Sequence, residues 1–317
     1  MLKKLKFVMG AISRKDLVPA MKHFAIQDGK VRAFNGTLAL CSPIPFELNC
    51  FPKADMLIKA IDNCDQTITM SMTPAGRLSI KSGKFRALIQ CVEQSSVHLE
   101  PEGEITQCNG DTLLKAFKVL SPFIGDDASR PWANGILLRG QSAFATCNVV
   151  LCEYWLGENF PTVVNIPESA IREVIRVNEA PSHLQIAQNS LTFHYTDGRW
   201  IRTQLFETSW PDLGKILSTP CNATDVDTRI FDALPKLKPF TCKEGRVIFE
   251  AGIAKTHIDP DEGSSVEIDG STMTGIYSLE IFALLKGVAL QADFTTYPRP
   301  CLFFGDKLRG AIVGRKA

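Results

Sequence analysis

The residues best suited to covalent or metal chemistry are ten cysteines and five histidines. No two cysteines form a CxxC pair, and no histidine has a partner at metal-ligand spacing. A zinc site needs such clustered ligands, so the sequence predicts no metal and no cofactor. The pattern favours reduced, buried thiols in a cytosolic protein. The cysteines stand at positions 41, 50, 64, 91, 108, 147, 152, 221, 242 and 301.

Three other candidates for catalysis have simpler interpretations. The adjacent Asp126 and Asp127 could form an acid pair, but the preceding Gly125 favours a polar turn. The stretch HIDPDEG from His257 lacks calcium-loop spacing and favours a surface hairpin. Cys147 could act as a nucleophile, although no particular histidine is implied as its base. Without a P-loop, HExxH or GxSxG motif, a non-enzymatic role is favoured over a cysteine-dependent or metal hydrolase, which stays an alternative.

Basic residues at helical spacing offer another kind of chemistry, the attraction of phosphate groups. They fall on the polar faces of predicted helices, among some acidic residues, in a chain whose net charge is only +1. Any single lysine there is more often part of a solvated face. If the helices share one surface, that surface suits phosphates without reading bases. The candidates are Arg14, Lys15, Lys22, Lys59, Lys115, Lys118, Arg172, Arg176, Lys236 and Lys286.

The first third of the chain predicts strands and two helices that would position these residues. We predict a first strand within Met1–Ile12, a helix from Arg14 to Phe24 and a hairpin from Phe24 to Cys41. Pro52 opens a second predicted helix, with proline in its first turn. Two strands, Leu78–Ile80 and Phe85–Gln90, complete this third.

The second third predicts the same order. Asp111 is the predicted cap of a helix that buries Leu113, Leu114, Phe117 and Leu120. Pro167 opens the second predicted helix. The predicted strands are Ile136–Arg139, Ala143–Tyr154, Leu191–Tyr195 and Trp200–Phe206.

The last third predicts this order again. Its first helix, Arg229–Leu237, is interrupted by Pro235, and its second extends from a Ser278 cap to Leu285. The predicted strands are Val247–Phe249, Ile253–Ile258, Cys301–Phe304 and Leu308–Val313.

A weak internal repeat supports three units of one kind. The segment Gly29–Cys41 aligns with Gly140–Cys152, and a fainter copy begins at Gly245. Identical residues of the first pair are Gly29 and Gly140, Leu40 and Leu151, and Cys41 and Cys152. We therefore predict an α+β protein of three tandem similar domains, 1–102, 103–218 and 219–317, each with two helices packed on antiparallel sheets.

Nothing in the sequence predicts export or membrane insertion. The basic N-terminal segment is too short in its apolar part for a secretion signal, and no apolar stretch approaches ~20 residues. We expect a cytoplasmic protein with no membrane partner.

The segment LSPFIGDDASRPWANGILL from Leu120 to Leu138 resembles the bacterial DNA sliding clamp, the β subunit of the replicative polymerase. In that family a helix leads into an acidic turn, an Arg-Pro, then a glycine and an apolar strand. Phe144–Leu151, Asn165–Pro167 and Trp210–Leu213 resemble the family's later segments, in the same order. The resemblance covers the whole chain in plan and is most specific from 113 to 217.

The resemblance implies a function that is topological rather than catalytic. It implies the DNA clamp fold, with three domains per chain and a head-to-tail homodimer closed into a ring around duplex DNA. The implied partners are double-stranded DNA, bound without sequence preference, a DNA polymerase and a clamp loader. The basic residues named above become the implied DNA contacts. A chain of 317 residues, shorter than most bacterial members, suggests a phage or mobile-element version.

The resemblance also implies a pocket for partner peptides and a dimer contact. Here Val149-Val150 replaces the family's usual His-Arg, and the tail Ile312–Arg315 also departs from the family pattern. The implied dimer contact joins Phe85 and Leu88 to Leu237 and Phe240. The implied pocket residues are Thr146, Val149, Val150, Leu151, Ser218, Ala311 and Val313.

A protein-interaction scaffold without nucleic acid is a third possibility. It differs from a clamp in one observable respect. A clamp stays on circular DNA and leaves linear DNA, whereas a scaffold ignores DNA topology.

Overall fold

The structure is a computed structural model that describes residues 1–13, 18–93, 99–207, 210–259 and 261–315. One order of elements recurs along the described chain: a helix, a strand hairpin, a second helix and a three-stranded meander. The first copy consists of α1 (Leu2–Val8), β1 (Ala25–Gln27), β2 (Lys30–Phe34), β3 (Leu38–Pro43), β4 (Phe51–Pro52), α2 (Ala54–Asp62), β5 (Ile68–Met72), β6 (Arg77–Ser82) and β7 (Phe85–Val92).

The second copy begins with an additional edge strand, β8, and a short helix, α5, follows the end of the copy. Its elements are β8 (Glu104–Gln107), α3 (Gly110–Leu120), β9 (Gly135–Thr146), β10 (Val150–Pro167), α4 (Glu168–Val177), β11 (His183–Ile186), β12 (Ser190–His194), β13 (Trp200–Gln204) and α5 (Gly214–Leu217).

The third copy begins in the same way. Its elements are β14 (Thr224–Asp225), α6 (Arg229–Leu237), β15 (Arg246–Glu250), β16 (Ile253–Lys255), β17 (Ser265–Glu267), β18 (Gly275–Ser278), α7 (Leu279–Ala283), β19 (Gln291–Ala292), β20 (Cys301–Gly305) and β21 (Leu308–Ile312).

The chain forms two compact units. Unit 1 is Met1–Leu114 with Ser169–Phe206, and unit 2 is Lys115–Glu168 with Glu207–Ala317. Unit 1 contains a seven-stranded sheet, β1-β2-β3-β13-β12-β11-β8, and a four-stranded sheet, β4-β7-β6-β5. Unit 2 contains a six-stranded sheet, β14-β19-β20-β21-β10-β9, and a four-stranded sheet, β17-β16-β15-β18.

Within each unit, the last strand of one copy pairs with the hairpin of the copy before it. In unit 1, β13 pairs antiparallel with β3, and in unit 2, β21 pairs antiparallel with β10. Leu40 lies opposite Ile201 in the first pairing, and Leu151 lies opposite Ala311 in the second. Leu40 and Leu151 are identical residues of the sequence repeat, and each lies in the hairpin strand that makes this pairing.

Within the described part of the chain, the last strand of the first copy has no such partner. Strand β7 pairs with β6 from Phe85 to Gln90, and β4 pairs only with Cys91 and Val92. Among the described residues, no strand pairs with the other edge of 85–89. An exposed strand edge is a template for pairing with another chain.

The helices form because each has one apolar side. In α2, Ala54, Leu57, Ala60 and Ile61 are buried, and in α3 the four predicted core residues are buried. A helix of this kind packs its apolar stripe on a sheet and leaves its polar side in water. The predicted α+β class is confirmed.

The N-terminal prediction was wrong. Residues Leu2–Val8 form a helix rather than a strand, with Leu5, Phe7 and Val8 buried. In the described part of the helix predicted from Arg14 to Phe24, Pro19–Lys22 is a short 3₁₀ turn rather than an α-helix, and β1 follows at Ala25. Residues 14–17 of that prediction lie outside the described residues.

Several predicted ends also differ. Pro52 and Pro167 end strands, and the helices begin after them. The side chain that caps α3 is Asn109, whose Oδ1 accepts from the Thr112 amide at 3.0 Å, rather than Asp111. The strand predicted for 143–154 is divided by a turn at 147–149, where Thr146 pairs with Leu151.

In the third copy, packing decides the helix ends. Helix α6 continues through Pro235, with Leu234 and Leu237 buried on either side of it. Helix α7 ends at Ala283, short of the predicted Leu285, and Ser278 makes no side-chain cap hydrogen bond.

Candidate functional site

A hollow in unit 2 forms where the β9–β10 turn, the end of β21 and the segment around α5 meet. Thr146 holds the turn: its hydroxyl donates to the Val150 carbonyl at 2.8 Å and accepts from the Asn148 amide at 3.2 Å. Asn148 has a φ of 69°, a left-handed conformation that asparagine adopts more readily than most residues. The Val313 amide donates to the Val149 carbonyl at 2.8 Å, which extends the β10–β21 pairing past Ile312.

The hollow is small and mainly apolar. Its volume is about 240 Å³, and beneath it Leu151 and Ala311 belong to the buried core of unit 2. Trp132 packs edge-on against Trp210 with ring centroids 5.3 Å apart, which rigidifies one side. The lining residues are Arg130, Trp132, Thr146, Asn148, Val149, Val150, Leu151, Pro211, Leu213, Ile216, Ala311 and Val313.

Arg130 is the charged residue among those that line the hollow. Its side chain is 52% exposed, and its Nε lies 3.9 Å from an Asp127 carboxylate oxygen, a long surface ion pair that contributes little stability. The hollow therefore suits one or two apolar side chains of an extended peptide, with an acidic group beside Arg130.

Six of the seven predicted pocket residues line this hollow. The exception is Ser218, whose hydroxyl donates to the Gly214 carbonyl at 3.2 Å at the end of α5. The sequence reasoning missed Arg130, Trp132, Leu213 and others, although the Arg-Pro and Trp-Pro-Asp-Leu segments that carry the resemblance contain them. That the hollow binds peptides stays a prediction.

The predicted phosphate-contacting residues differ in their surroundings. Lys59 on α2, Lys115 and Lys118 on α3, Arg172 on α4 and Lys236 on α6 are exposed. Each lies on a helix whose other side is buried, as predicted from spacing. Arg14 and Lys15 lie outside the described residues.

Lys22 and Lys286 are not helix-face residues. Lys22 is half-buried in the 3₁₀ turn, and Lys286 follows α7 and lies 2.9 Å from an Asp232 carboxylate oxygen. Conversely, α1 carries Lys3, Lys4 and Lys6, which the strand prediction concealed. The three-residue spacing of Leu2, Leu5 and Val8 was the sequence signal that could have predicted this helix and its lysines.

Arg176 is engaged within unit 1. Its Nε lies 3.0 Å from each carboxylate oxygen of Glu173, a residue only 7% exposed. One of its terminal nitrogens also donates to the Phe7 carbonyl at 2.8 Å, near the end of α1. The side chain thus neutralises a buried carboxylate and satisfies a helix-end carbonyl.

The predicted dimer residues are partly available. Leu88 on the open edge strand β7 is 46% exposed and Phe85 is half-buried. Phe240 is 55% exposed, but Leu237 is fully buried because it lies on the core side of α6. The side chain of Leu237 is therefore not available to a second chain.

The other candidates for chemistry behave as turn or core residues. Asp127 Oδ1 accepts from the Ser129 hydroxyl and amide, and these hydrogen bonds lower the pKa of Asp127. Among the described residues, no group of three or more His, Cys, Asp or Glu could hold a metal ion. In the same part of the chain, no helix has the length and apolar character needed to cross a membrane.

Comparison with solved structures gives the class of this fold. The chain has the fold of the bacterial DNA sliding clamp, the β subunit of DNA polymerase III. The clamp structure from Streptococcus pyogenes is 18% identical with a TM-score of 0.84, and that from Pseudomonas aeruginosa is 15% identical with a TM-score of 0.82. A Bacillus subtilis sliding clamp is 14% identical, with a TM-score of 0.82.

Each of these matches covers 100% of this chain and 97% of the other. No protein-family model matches the sequence, and no curated protein matches it either. The fold resemblance drawn from the sequence segments is thus confirmed by structure, at identities where sequence comparison finds nothing.

Proposed function

We propose that this protein is a DNA polymerase processivity factor, a sliding clamp that encircles duplex DNA as a ring-shaped homodimer and tethers a polymerase and other partners. The observation that carries the proposal is the full-length likeness of its fold to bacterial sliding clamps. The protein acts without catalysis, in the cytoplasm, with a clamp loader to open the ring. Ten free cysteines suit such a reducing compartment.

The repeated order of elements supports three domains, 1–102, 103–218 and 219–317. Each range contains one copy of the helix, hairpin, helix and meander. The division into two compact units follows the pairings between copies: the second copy contributes Lys115–Glu168 to unit 2 and Ser169–Phe206 to unit 1.

The same pairings support a head-to-tail homodimer. Two last strands, β13 and β21, each pair with the hairpin of the preceding copy, while β7 of the first copy has a free edge. In the proposed ring, that edge meets the hairpin side of the third copy in a second chain, where β17 is the outer strand. A ring of two chains gives every such edge a partner.

Charge favours this contact over a random one. The exposed residues near the free edge include Lys84 and Arg86, whereas β17 and the turn after it expose Glu267 and Asp269. Opposite charges on the two surfaces steer association and fix its register. Leu88 and Phe240 supply exposed apolar side chains on the same two sides.

DNA attraction is assigned to the exposed helix cations. The proposed contacts are Lys59, Lys115, Lys118, Arg172 and Lys236, together with Lys3 and Lys6 of α1; Lys4 of the same helix is half-buried. Lysines and arginines that neutralise phosphates bind DNA without sequence preference and with strong salt dependence. Arg14, Lys15, Lys22 and Lys286 remain weaker members of the proposed set, and Arg176 is given a structural role.

The hollow beside Arg130 is the proposed docking site for partner peptides. Val149 in the β9–β10 turn and Val313 just after β21 both line it, and Val313 is 41% exposed. A short peptide that buries two apolar side chains there gains affinity from a preformed, rigid surface. The polymerase and the loader would compete for this site.

A processivity assay with the replicative polymerase and loader of the source organism tests the proposal. On a singly primed circular template, the protein should lengthen the products of a single binding event at least about tenfold, since tethering raises the effective concentration of polymerase. Val313→Asp should remove this effect while the dimer persists, and Ile258→Asp, at an exposed apolar residue elsewhere in unit 2, should not. Unchanged product length with the wild-type protein would contradict the proposal.

A further inference from the structure

Two cysteines lie side by side in unit 1, away from the proposed pocket. Phe51 pairs with Val92 and Pro52 with Cys91, at the end of β7, and Cys50 pairs with Ile26. Because side chains alternate along a strand, Cys50 lies on the face that carries Pro52 and its partner Cys91. The two cysteines are thus diagonal neighbours across β4 and β7.

Both cysteines line one open cavity of about 800 Å³. Cys50 is 3% exposed, whereas Cys91 is half-buried. A small solute that enters the cavity therefore reaches the sulfur of Cys91 first, with Cys50 behind it.

The surroundings of the two sulfurs differ. A hydrogen bond from the Cys50 thiol lowers the pKa of Cys91, and the backbone N–H groups of Leu78 and Phe51 lower it further, against the opposing effect of burial. The same hydrogen bond, and burial, raise the pKa of Cys50. By contrast, burial raises the pKa of Cys41, which belongs to the sequence repeat, to about 11. A thiolate is the nucleophilic form of cysteine, so Cys91 is the reactive partner.

We propose that Cys50 and Cys91 form a redox-responsive dithiol that a hydroperoxide converts to an intrachain disulfide. The Cys91 thiolate attacks one peroxide oxygen, the O–O bond breaks, and the other oxygen leaves as an alcohol, or as water from hydrogen peroxide, after taking up a proton. Cys91 then carries a sulfenic acid. The Cys50 sulfur attacks that sulfur, the S–O bond breaks, and water leaves with the Cys50 proton.

The two thiols lose two electrons in total, and the peroxide gains them. A dithiol reductant reverses the bond by thiol–disulfide exchange. The product would join the Cys50 segment beside β4 to the end of β7, on the same edge of β7 that is free at 85–89. The inference does not depend on the proposed clamp function, because it rests on the contacts of unit 1 alone.

Peptide mapping of the full-length protein after treatment with hydrogen peroxide tests the inference. Mass spectrometry without reduction should find one cross-linked pair of peptides, containing Cys50 and Cys91, and a dithiol should restore both thiols. Before oxidation, iodoacetamide at pH 7.5 should label Cys91 at least about tenfold faster than Cys64, which is half-buried in the same unit.

Two variants separate the roles. Cys50→Ser should stop at a sulfenic acid on Cys91 that dimedone traps, and Cys64→Ser should oxidise as the wild type does. Oxidation spread evenly over the ten thiols, or a Cys91 no more reactive than Cys64, would overturn the inference. Both of these contradicting results are measured on the wild-type protein, so the test remains valid even where a variant folds poorly.

Discussion

Arg176 joins two parts of unit 1, the buried carboxylate of Glu173 on its own helix and the Phe7 carbonyl near the end of α1. A methyl group at Gly10 would lie 1.8 Å from a Glu173 carboxylate oxygen, so the carboxylate fills space that any other residue at position 10 would need. These contacts indicate that Arg176 stabilises the fold of unit 1. It was predicted among the DNA contacts because it lies one turn from Arg172 on α4.

Arg176→Ala should lower the free energy of unfolding by about 1–3 kcal/mol, because it leaves a buried carboxylate and a carbonyl without their partner. Urea denaturation measures the loss, and Lys59→Ala, at an exposed position, is the control. Adding Glu173→Gln to Arg176→Ala should recover part of the stability, since it removes the uncompensated charge. Equal stability of Arg176→Ala and Lys59→Ala would contradict this assignment.

A second residue-scale feature is the stacked pair His183 and His194. Their rings are nearly parallel, with centroids 4.4 Å apart, and they lie directly opposite each other on β11 and β12. Burial lowers the pKa of His194, and the charge of His183 lowers it further. The folded protein therefore holds His194 neutral at a pH where the unfolded chain, with an ordinary histidine pKa near 6.5, begins to bind a proton.

The sign of the pH dependence follows from this difference. Below about pH 6.5 the unfolded state binds more protons, so the stability that His194 contributes is present at pH 7.5 and is lost as the pH falls toward its folded pKa. Thermal unfolding at pH 7.5 and 5.5 should show a smaller acid loss for His194→Gln than for the wild type. His257→Gln should behave as the wild type; an unchanged acid loss in His194→Gln would contradict the prediction.

At the scale of elements, α1 shows what the sequence could not decide. In LKKLKFV, Leu5 and Phe7 alternate as in a strand, while Leu2, Leu5 and Val8 have helical spacing, and seven residues are too few to distinguish the two periods. So short a helix is not stable in isolation, and packing selects it. Here Phe7 packs edge-on against Tyr195 and lies beneath the Arg199 guanidinium, 4.8 Å away.

Phe7→Ala should therefore lower the free energy of unfolding by about 3–5 kcal/mol, the usual cost of removing a buried aromatic ring. Lys3→Ala, which removes an exposed ion pair with Glu179, should cost less than about 1 kcal/mol. Denaturant unfolding of the two variants measures the difference. Equal, small losses in both would indicate that α1 does not pack on unit 1 as described.

Longer periodic elements were predictable. Helix α3 shows its four core positions in the sequence, and α2 and α4 are recognisable from theirs, because an apolar stripe over two or more turns is not matched by a strand. The ends of the helices were harder to predict, because a proline such as Pro52 or Pro167 is compatible with both the end of a strand and the start of a helix. For the pocket, the resemblance pointed to the turn at Thr146 and the strand at Ala311. Arg130 and Trp132 also stand in a segment that carries the resemblance, but their place beside the hollow depends on the folded chain.

At the scale of the whole molecule, the proposed ring depends on the threefold repeat of one order of elements. Leu40 and Leu151 look like a chance identity in the sequence, yet each lies in a hairpin strand that pairs with the last strand of the next copy. The sequence could not reveal that β7 keeps a free edge, because strand partners depend on contacts distant in the chain.

The free edge leads to a prediction about assembly. Arg86→Glu should weaken the proposed dimer at least about tenfold, because it places like charges on the two surfaces that meet. Sedimentation velocity measures this, with Arg77→Glu, at the other end of the β6–β7 hairpin, as the control. Adding Glu267→Arg to Arg86→Glu should restore the dimer; a dimer indifferent to Arg86 would contradict this contact.

The central claim, that the protein binds DNA by encircling it, is tested most directly on linear duplex DNA fixed to a bead at one end. The protein is threaded over the free end at high concentration, the end is then blocked with a bulky protein, and the beads are washed at a salt concentration that removes non-specific binders. If the protein encircles DNA, it stays on the blocked DNA during the wash and is released when a restriction enzyme cuts between the bead and the block. Equal loss from blocked and unblocked DNA in the wash, or retention after the cut, would contradict this claim.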